Sequence, residues 1–212
     1  PRAEDLMARV FGDGVRDIRF FRFAPLSFHG EPMVVARSGY SKQGGFEIYV
    51  ADRSLAEPLW DALFEKGEDL FVRAGGPNLI ERIEGGLLSY GNDMTLANTP
   101  FECGLGKFCA QVGKIDCIGG DALRRVAREG HGREIRGLAI AGDPLPPCRA
   151  PLPLSAGDAY AGQVTSLAWS PDLQTNVAIA MIERAHWAVG DVLEVATVDG
   201  PREAEVRALP FL

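Results

Sequence analysis

MVVARSGYSKQGGFEIYV, residues 33–50, is the stretch on which the fold of the first half of the chain depends. Residues 33–37 and 46–50 are rich in β-branched and aromatic residues and predict two strands, with three glycines in the loop between them. Side chains alternate across a strand, so the second strand has an apolar and a polar face: Phe46, Ile48 and Val50 against Glu47 and Tyr49. The pattern predicts a sheet that buries one face and carries a carboxylate on the other.

Helix and strand patterns mix on both sides of this stretch. Apolar spacing predicts three helices, over 2–11, 54–66 and 77–84. Aromatic and apolar runs predict further strands over 19–23 and 70–72. This mixture indicates an α+β domain over residues 1–125.

The texture changes after Gly130. Short β-rich segments follow one another with glycine and proline between them: GQVTSLAWS, NVAIAMI, VLEVATV and AEVRAL. Such a series predicts a second domain over residues 126–212, either a small antiparallel β-barrel or a sandwich.

The composition is typical of a folded globular protein. Of 212 residues, 46% are hydrophobic and 24% are charged, and the formal net charge is −7. There is no basic stripe, so no nucleic-acid partner is expected, and no apolar run approaches the roughly 20 residues of a membrane span. Four cysteines and three histidines match no zinc pattern, so we expect no metal site. Reduced thiols and a cytoplasmic location are expected.

Glu47 and the aromatic residues near it in sequence are the candidate binding residues. A carboxylate can accept two N–H donors side by side, as the amino-pyrimidine edge of a pterin presents them. The alternative is that Glu47 lies on a solvated sheet face. Five aromatic residues in the first 50 either pack in the core or form a slot for a flat heterocycle: Phe20, Phe21, Phe23, Tyr40 and Tyr49. No nucleophile–base pattern is found, so the catalytic residues are unknown.

Three further charged residues are expected to have structural roles, each with a functional alternative. Asp93 and Glu102 flank a turn and are expected to serve turn formation, with acid–base work as the alternative. Arg82 is expected to pair at a helix end or on the surface, with a ligand carboxylate as the alternative.

Six segments resemble, in chain order, those of the aminomethyltransferase family, which includes the glycine cleavage T-protein. RSGYSKQGGFEI (37–48) resembles R-T-G-Y-T-G-E-D-G-F-E-I, and RIEGGLLSYGND (82–93) resembles R-L-E-A-G-x-x-L-Y-G-N-D. Shorter matches follow at 99–105, 116–123, 162–166 and 170–178. The resemblance implies part of a ferredoxin-like domain followed by the family's C-terminal β-barrel. It also implies that an N-terminal portion of the same polypeptide is missing, so that the chain alone is inactive.

The resemblance implies tetrahydrofolate as cosubstrate. Glu47 matches the family glutamate that binds the pterin ring, and Tyr40 matches an aromatic residue beside the same pocket. Phe20 and Phe21 fall near aromatic pocket positions, and Tyr49 is added because it shares a strand face with Glu47. The oligomeric state is left open by the sequence, and a homodimer is one of the alternatives.

Two departures from the T-protein pattern weigh against the ordinary T-protein role, and the segments ARSGYSKQGGFEIYV (36–50), IERIEGGLLSYGND (80–93) and ECGLGKFC (102–109) resemble more closely the dimethylsulfoniopropionate demethylase branch of the family. Asn78 stands where the pattern has an arginine, and Ser41-Lys42-Gln43-Gly44 replaces T-G-E-D. That branch transfers a methyl group from a sulfonium compound to tetrahydrofolate. The alternatives are aminomethyl transfer, as in the T-protein, and a non-catalytic folate-binding protein of iron–sulfur maintenance. The cysteine motif K-G-C-Y-x-G-Q-E of the latter is only partly present at 114–121.

Overall fold

Two compact units, residues 1–78 and 79–212, make up the protein. The computed structural model describes residues 2–40, 43–76 and 78–212. The first unit combines helices with a small antiparallel sheet, and the second contains a closed β-barrel. The predicted fold class, α+β with a small antiparallel barrel in the C-terminal part, is confirmed, and the barrel rather than the sandwich is correct.

The second unit begins well before the barrel strands. It contains helix α3 (Leu79–Glu84), which packs against two strands of the barrel, and helix α4 (Gly120–Glu129). The compact unit of the barrel therefore includes residues 79–125. The domain boundary after residue 125, which follows the change in sequence texture, stays a prediction.

A three-stranded antiparallel sheet forms the centre of the first unit. Its strands lie in the order β1 (Phe23–Phe28), β2 (Glu31–Ala36) and β3 (Glu47–Tyr49). Helices α1 (Ala3–Phe11) and α2 (Ala56–Lys66) pack on one face of this sheet. The core between them contains one buried side chain from each helix and two from β2: Met7, Leu59, Met33 and Val35.

The first strand lies later in the chain than the sequence pattern predicts. The expectation of a strand over 19–23 is wrong, since Phe21 adopts a left-handed conformation with φ of +56° and β1 begins at Phe23. Strand propensities do not predict β1, because it contains Pro25. A proline is nevertheless tolerated on an edge strand, where one side of the backbone has no partner. The strand expected over 70–72 is also wrong, because Phe71 has a φ of +57° after a short 3-10 helix.

Six antiparallel strands close the barrel of the second unit. They are β4 (Arg133–Ile140), β5 (Leu152–Ala156), β6 (Ala159–Ser170), β7 (Thr175–Glu183), β8 (Val192–Thr197) and β9 (Gly200–Arg207). The order around the barrel is β4-β7-β6-β5-β8-β9, and β9 pairs with β4 to close it. A closed barrel leaves no free sheet edge.

Strand β7 is buried on both faces. Ala178 and Ala180 point into the barrel interior, while Val177 and Ile179 pack outside it with Ile83 of α3. A strand covered on both sides has no polar face, which explains the continuous apolar run NVAIAMI in the sequence.

None of the helices in the described part of the chain is long and apolar enough to cross a membrane.

The barrel depends on a glycine at position 162. Its φ is +142°, and a Cβ there would lie 2.3 Å from the carbonyl oxygen of Met181 on the neighbouring strand. We expect Gly162→Ala to lower the free energy of unfolding by roughly 2–3 kcal/mol, because a positive φ and a backbone overlap combine. Gly132→Ala is the control, since a Cβ at Gly132 meets nothing within 4 Å. Equal denaturation midpoints for the two variants would contradict the argument.

Candidate functional site

Glu47 and Tyr49 lie on the exposed face of β3. Between them, Ile48 points to the other face, where it packs with the core and lies opposite the fully buried Val35 of β2. The alternation predicted for this strand is confirmed. The Glu47 carboxylate is therefore held on the side of the sheet that α1 and α2 do not cover.

The exposed side of the sheet is apolar around this carboxylate. We call it the open face and define it by Phe23, Val34, Glu47 and Tyr49. The pairing register places these four side chains on the same side of the sheet. Phe23 is 70% exposed and Tyr49 is 58% exposed, so large apolar groups surround a charged acceptor. Flat aromatic ligands with N–H donors suit such a surface.

Phe20 and Phe21 extend the aromatic surface at one end of the sheet. The backbone N–H of Phe21 donates to the carbonyl of Arg37 at 3.0 Å, which places Phe21 beside the end of β2 that faces Glu47. The two phenyl rings are 4.3 Å apart between centroids. They are 65% and 70% exposed, so the expectation that they pack in the core is wrong. Their contact with a ligand stays a prediction.

Tyr40 lies in the loop between β2 and β3, and its side chain is partly exposed, with a relative accessibility of 39%. Its neighbours Ser41 and Lys42, two of the four residues that depart from the family pattern, lie outside the described residues. The contact of Tyr40 with a ligand stays a prediction.

Arg37 fixes the start of this loop from the core side of the sheet. Its guanidinium forms an ion pair with Glu4 of α1 at 2.6 Å and lies 5.3 Å from the centroid of the Phe46 ring. It also donates to the carbonyl of Ile18 at 3.3 Å. The hydrogen bonds from Arg37 and then from Arg16 hold the pKa of Glu4 below its ordinary value. The loop therefore leaves the sheet from an anchored residue.

Ser38 follows Arg37 and points to the open face. Its hydroxyl donates a hydrogen bond to Oε2 of Glu47. The Glu47 side chain is exposed.

A second polar cluster lies buried in the barrel unit around Asp93. Its carboxylate accepts from Arg82 Nη1 at 3.0 Å, from the Ser89 backbone N–H at 2.8 Å, and from the hydroxyls of Thr165 and Ser166 at 2.6 Å each. The side chains of Arg82 and Asp93 are 6% and 0% exposed. Surface pairing of Arg82 is therefore wrong, and a buried carboxylate with four donors suits a structural role.

A bulge in β6 makes this cluster possible. Val164 pairs with Ala180 and Ser166 pairs with Ile179, so Thr165 is an extra residue in the strand. Two consecutive hydroxyls can then turn toward the same carboxylate, which regular alternation forbids. The sequence carries one signal for this bulge, the Thr165-Ser166 pair inside a mostly apolar strand, but no signal for Asp93, which lies 72 residues before Thr165.

Two of the four cysteines are held in the protonated form by burial. All four are free thiols, and burial raises the pKa of Cys103 and of Cys148, which favours the unreactive protonated form. Within the described residues, no cluster of three or more His, Cys, Asp or Glu side chains could hold a metal ion.

Two family models match the chain. The model of the GCVT N-terminal domain matches residues 1–112, and that of the glycine cleavage T-protein C-terminal barrel domain matches residues 133–212. The chain belongs to the glycine cleavage T-protein family. The resemblance predicted from its sequence motifs is thus confirmed.

Within the glycine cleavage T-protein family, two kinds of relative are similar to this chain. The dimethylsulfoniopropionate demethylase DmdA of Ruegeria pomeroyi is 59% identical over 98% of this chain and 56% of its own length. An aminomethyltransferase of Symbiobacterium thermophilum is 34% identical over 100% of this chain and 57% of its own length. The chain therefore spans little more than half the length of these relatives.

A solved structure of the same family has the same fold. The crystal structure of the glycine cleavage system aminomethyltransferase T from Bartonella henselae superposes with a TM-score of 0.87 at 25% identity. The match covers 100% of this chain and 57% of that one.

The buried Asp93 cluster predicts a large loss of stability on its removal. Asp93→Ala leaves the Arg82 charge buried without its ionic partner, and we expect the free energy of unfolding to fall by roughly 3–5 kcal/mol. Glu205→Ala is the matched control, because Glu205 pairs with Arg207 on the exposed surface and its loss should cost less than about 1 kcal/mol. Denaturant titration measures both. A midpoint for Asp93→Ala that equals that of the control would contradict the structural role of the cluster.

Proposed function

We propose that the full-length protein transfers a methyl group from dimethylsulfoniopropionate to tetrahydrofolate, giving 5-methyltetrahydrofolate and methylmercaptopropionate. The proposal concerns a longer polypeptide, because this chain spans only 56% of the length of the demethylase relative. The observation that carries it is the level of identity: 59% to the demethylase DmdA against 34% to an aminomethyltransferase over comparable lengths.

The open face supports folate binding by its chemistry. A pterin ring is flat and presents an amide N–H beside an amino group, and the two oxygens of one carboxylate can accept both. Glu47 offers such a carboxylate, and Tyr49 supplies an exposed aromatic ring on the same face. Phe20, Phe21 and Tyr40 are proposed to contact the ring system from the end of the sheet. When bound, tetrahydrofolate supplies the nitrogen nucleophile that accepts the methyl group.

The chemistry of the methyl donor explains why the proposed reaction needs no strong acid or base among the side chains. A sulfonium methyl group is already activated, since the sulfide leaves as a neutral molecule. The protein needs mainly to align donor and acceptor and to exclude water. Glu47 then acts as a binding and orienting residue, and no general base is assigned to this chain.

Aminomethyl transfer is the second candidate. Relatives of that name and the Bartonella henselae structure share the fold over the whole chain. The departure at Asn78 weighs against it, because an amide cannot replace the fixed positive charge of the arginine in the T-protein pattern. The iron–sulfur maintenance alternative is weaker, because residues 114–121 lack the tyrosine and the glutamine of its cysteine motif.

A cytoplasmic location and a homodimer stay predictions. Size-exclusion chromatography with light scattering on the full-length protein measures its molar mass and so tests the homodimer.

The direct test is an assay of the full-length protein with tetrahydrofolate and dimethylsulfoniopropionate. Formation of 5-methyltetrahydrofolate, followed by chromatography, supports the demethylase. Ammonia and methylenetetrahydrofolate formed from an aminomethyl-lipoyl carrier would instead establish the second candidate. The chain 1–212 alone is the control and is expected to be inactive.

Replacing Glu47 tests the pterin contact. Glu47→Gln keeps the shape but turns one acceptor into a donor, so we expect tetrahydrofolate binding to weaken by roughly 1–3 kcal/mol. Glu31→Gln, at the other end of the sheet, is the control and should bind normally. Isothermal titration calorimetry on the full-length protein measures both. Unchanged affinity in Glu47→Gln would contradict the assignment.

Replacing Asn78, which directly precedes α3, tests the substrate class. An arginine whose charge came within about 6 Å of a bound sulfonium would cost roughly 2–3 kcal/mol at an effective dielectric near 20. We therefore expect Asn78→Arg to weaken use of dimethylsulfoniopropionate more than it weakens tetrahydrofolate binding. Asn78→Gln, which adds no charge, is the control. Steady-state kinetics with equal kcat/KM for the sulfonium in the arginine variant and the parent would contradict the electrostatic argument.

A further inference from the structure

Ser38 and Glu47 lie close together where β2 ends. Glu47 pairs with Ala36 at the end of β2, and Ser38 lies two residues beyond Ala36, just after the backbone bends at Arg37. The Ser38 hydroxyl donates to Oε2 of Glu47.

The backbone that carries Ser38 is held on both sides. The N–H of Arg37 donates to the carbonyl of Arg22 at 2.9 Å, and the carbonyl of Arg37 accepts from Phe21 at 3.0 Å. The Arg37 side chain is tied to Glu4 on the core side. The hydroxyl is thus presented by a segment whose position is fixed before any ligand arrives.

We propose that Ser38 is a positioning residue, which holds the Glu47 carboxylate in the orientation that a pterin edge requires. The inference rests on the proposed function and extends it to a residue that touches no ligand. An ionised carboxylate has about four lone-pair sites, so Ser38 occupies one and leaves both oxygens able to accept from the ring. An exposed glutamate without such a bond samples several rotamers, and ligand binding must then restrict it.

The first test compares two substitutions at one position in the full-length protein. Ser38→Ala removes the donor, and Ser38→Thr keeps it. We expect Ser38→Ala to weaken tetrahydrofolate binding roughly 3- to 10-fold, the cost of ordering one mobile side chain, and Ser38→Thr to stay within about 2-fold of the parent. Ser27→Ala, on the same side of β1 as the open face, is the control and should bind normally.

A positioning role also predicts a selective kinetic effect. In Ser38→Ala the KM for tetrahydrofolate should rise, while the KM for the sulfonium substrate and the thermal unfolding midpoint stay unchanged. A general structural role would move the midpoint and both KM values together, and that result would overturn the inference.

A double-mutant cycle separates this inference from the proposed function. In a Glu47→Ala background, Ser38→Ala should cause no further loss of tetrahydrofolate affinity, because the group that it positions is gone. An equal loss in both backgrounds, or no loss from Ser38→Ala when Glu47→Ala does weaken binding, overturns the role of Ser38 and leaves the folate site standing. If Glu47→Ala itself leaves the affinity unchanged, both the assignment of Glu47 and the role of Ser38 fail.

Discussion

Burial of Val35 and Ile48 against the helices of the first unit is the constraint on which the candidate site depends. A strand has only two faces, so the burial of these side chains forces their neighbours Val34, Glu47 and Tyr49 to the other side. A slip of one residue in the register would bury the carboxylate and expose the core. The ion pair between Arg37 and Glu4 opposes such a slip, because it fixes the Arg37 side chain at the end of β2. The chemistry of the open face is thus a consequence of packing on the opposite face.

The barrel unit uses polar groups in a different way. Arg82, Asp93, Thr165 and Ser166 form a closed network in which each donor has an acceptor, and it ties the segment after α3 to a bulge in β6. Such a network stabilises a particular arrangement only when it is complete, because a buried charge without its partner is costly. Tyr90 lies between Ser89 and Asp93, two members of this region, and is 66% exposed. The network therefore holds an exposed aromatic residue on a short, fixed segment.

The sequence predicts what depends on local periodicity. The faces of β3, the apolar runs of the barrel strands and the family motifs can all be found by pattern. The position of β1 cannot be found by pattern. Its Pro25 is an unfavourable strand residue, whereas Phe21, which looks like a strand residue in the sequence, is left-handed, and the pairing with β2 decides the register. The Asp93 network cannot be found by pattern either, because its partners are brought together only when α3 and the segment after it pack against β6. The hydrogen bond between Ser38 and Glu47 lies between these cases, since alternation places Glu47 on the open face but does not show that Ser38, just beyond the end of β2, reaches it.

The central claim is that the open face of the first unit binds the pterin ring through Glu47. A crystal structure of the full-length protein with tetrahydrofolate tests it most directly. The account predicts that the Glu47 carboxylate lies within hydrogen-bond distance, about 2.7–3.2 Å, of two adjacent nitrogens of the pterin, with Ser38 still bound to one of its oxygens. A pterin ring bound elsewhere, with Glu47 turned to solvent, would contradict it.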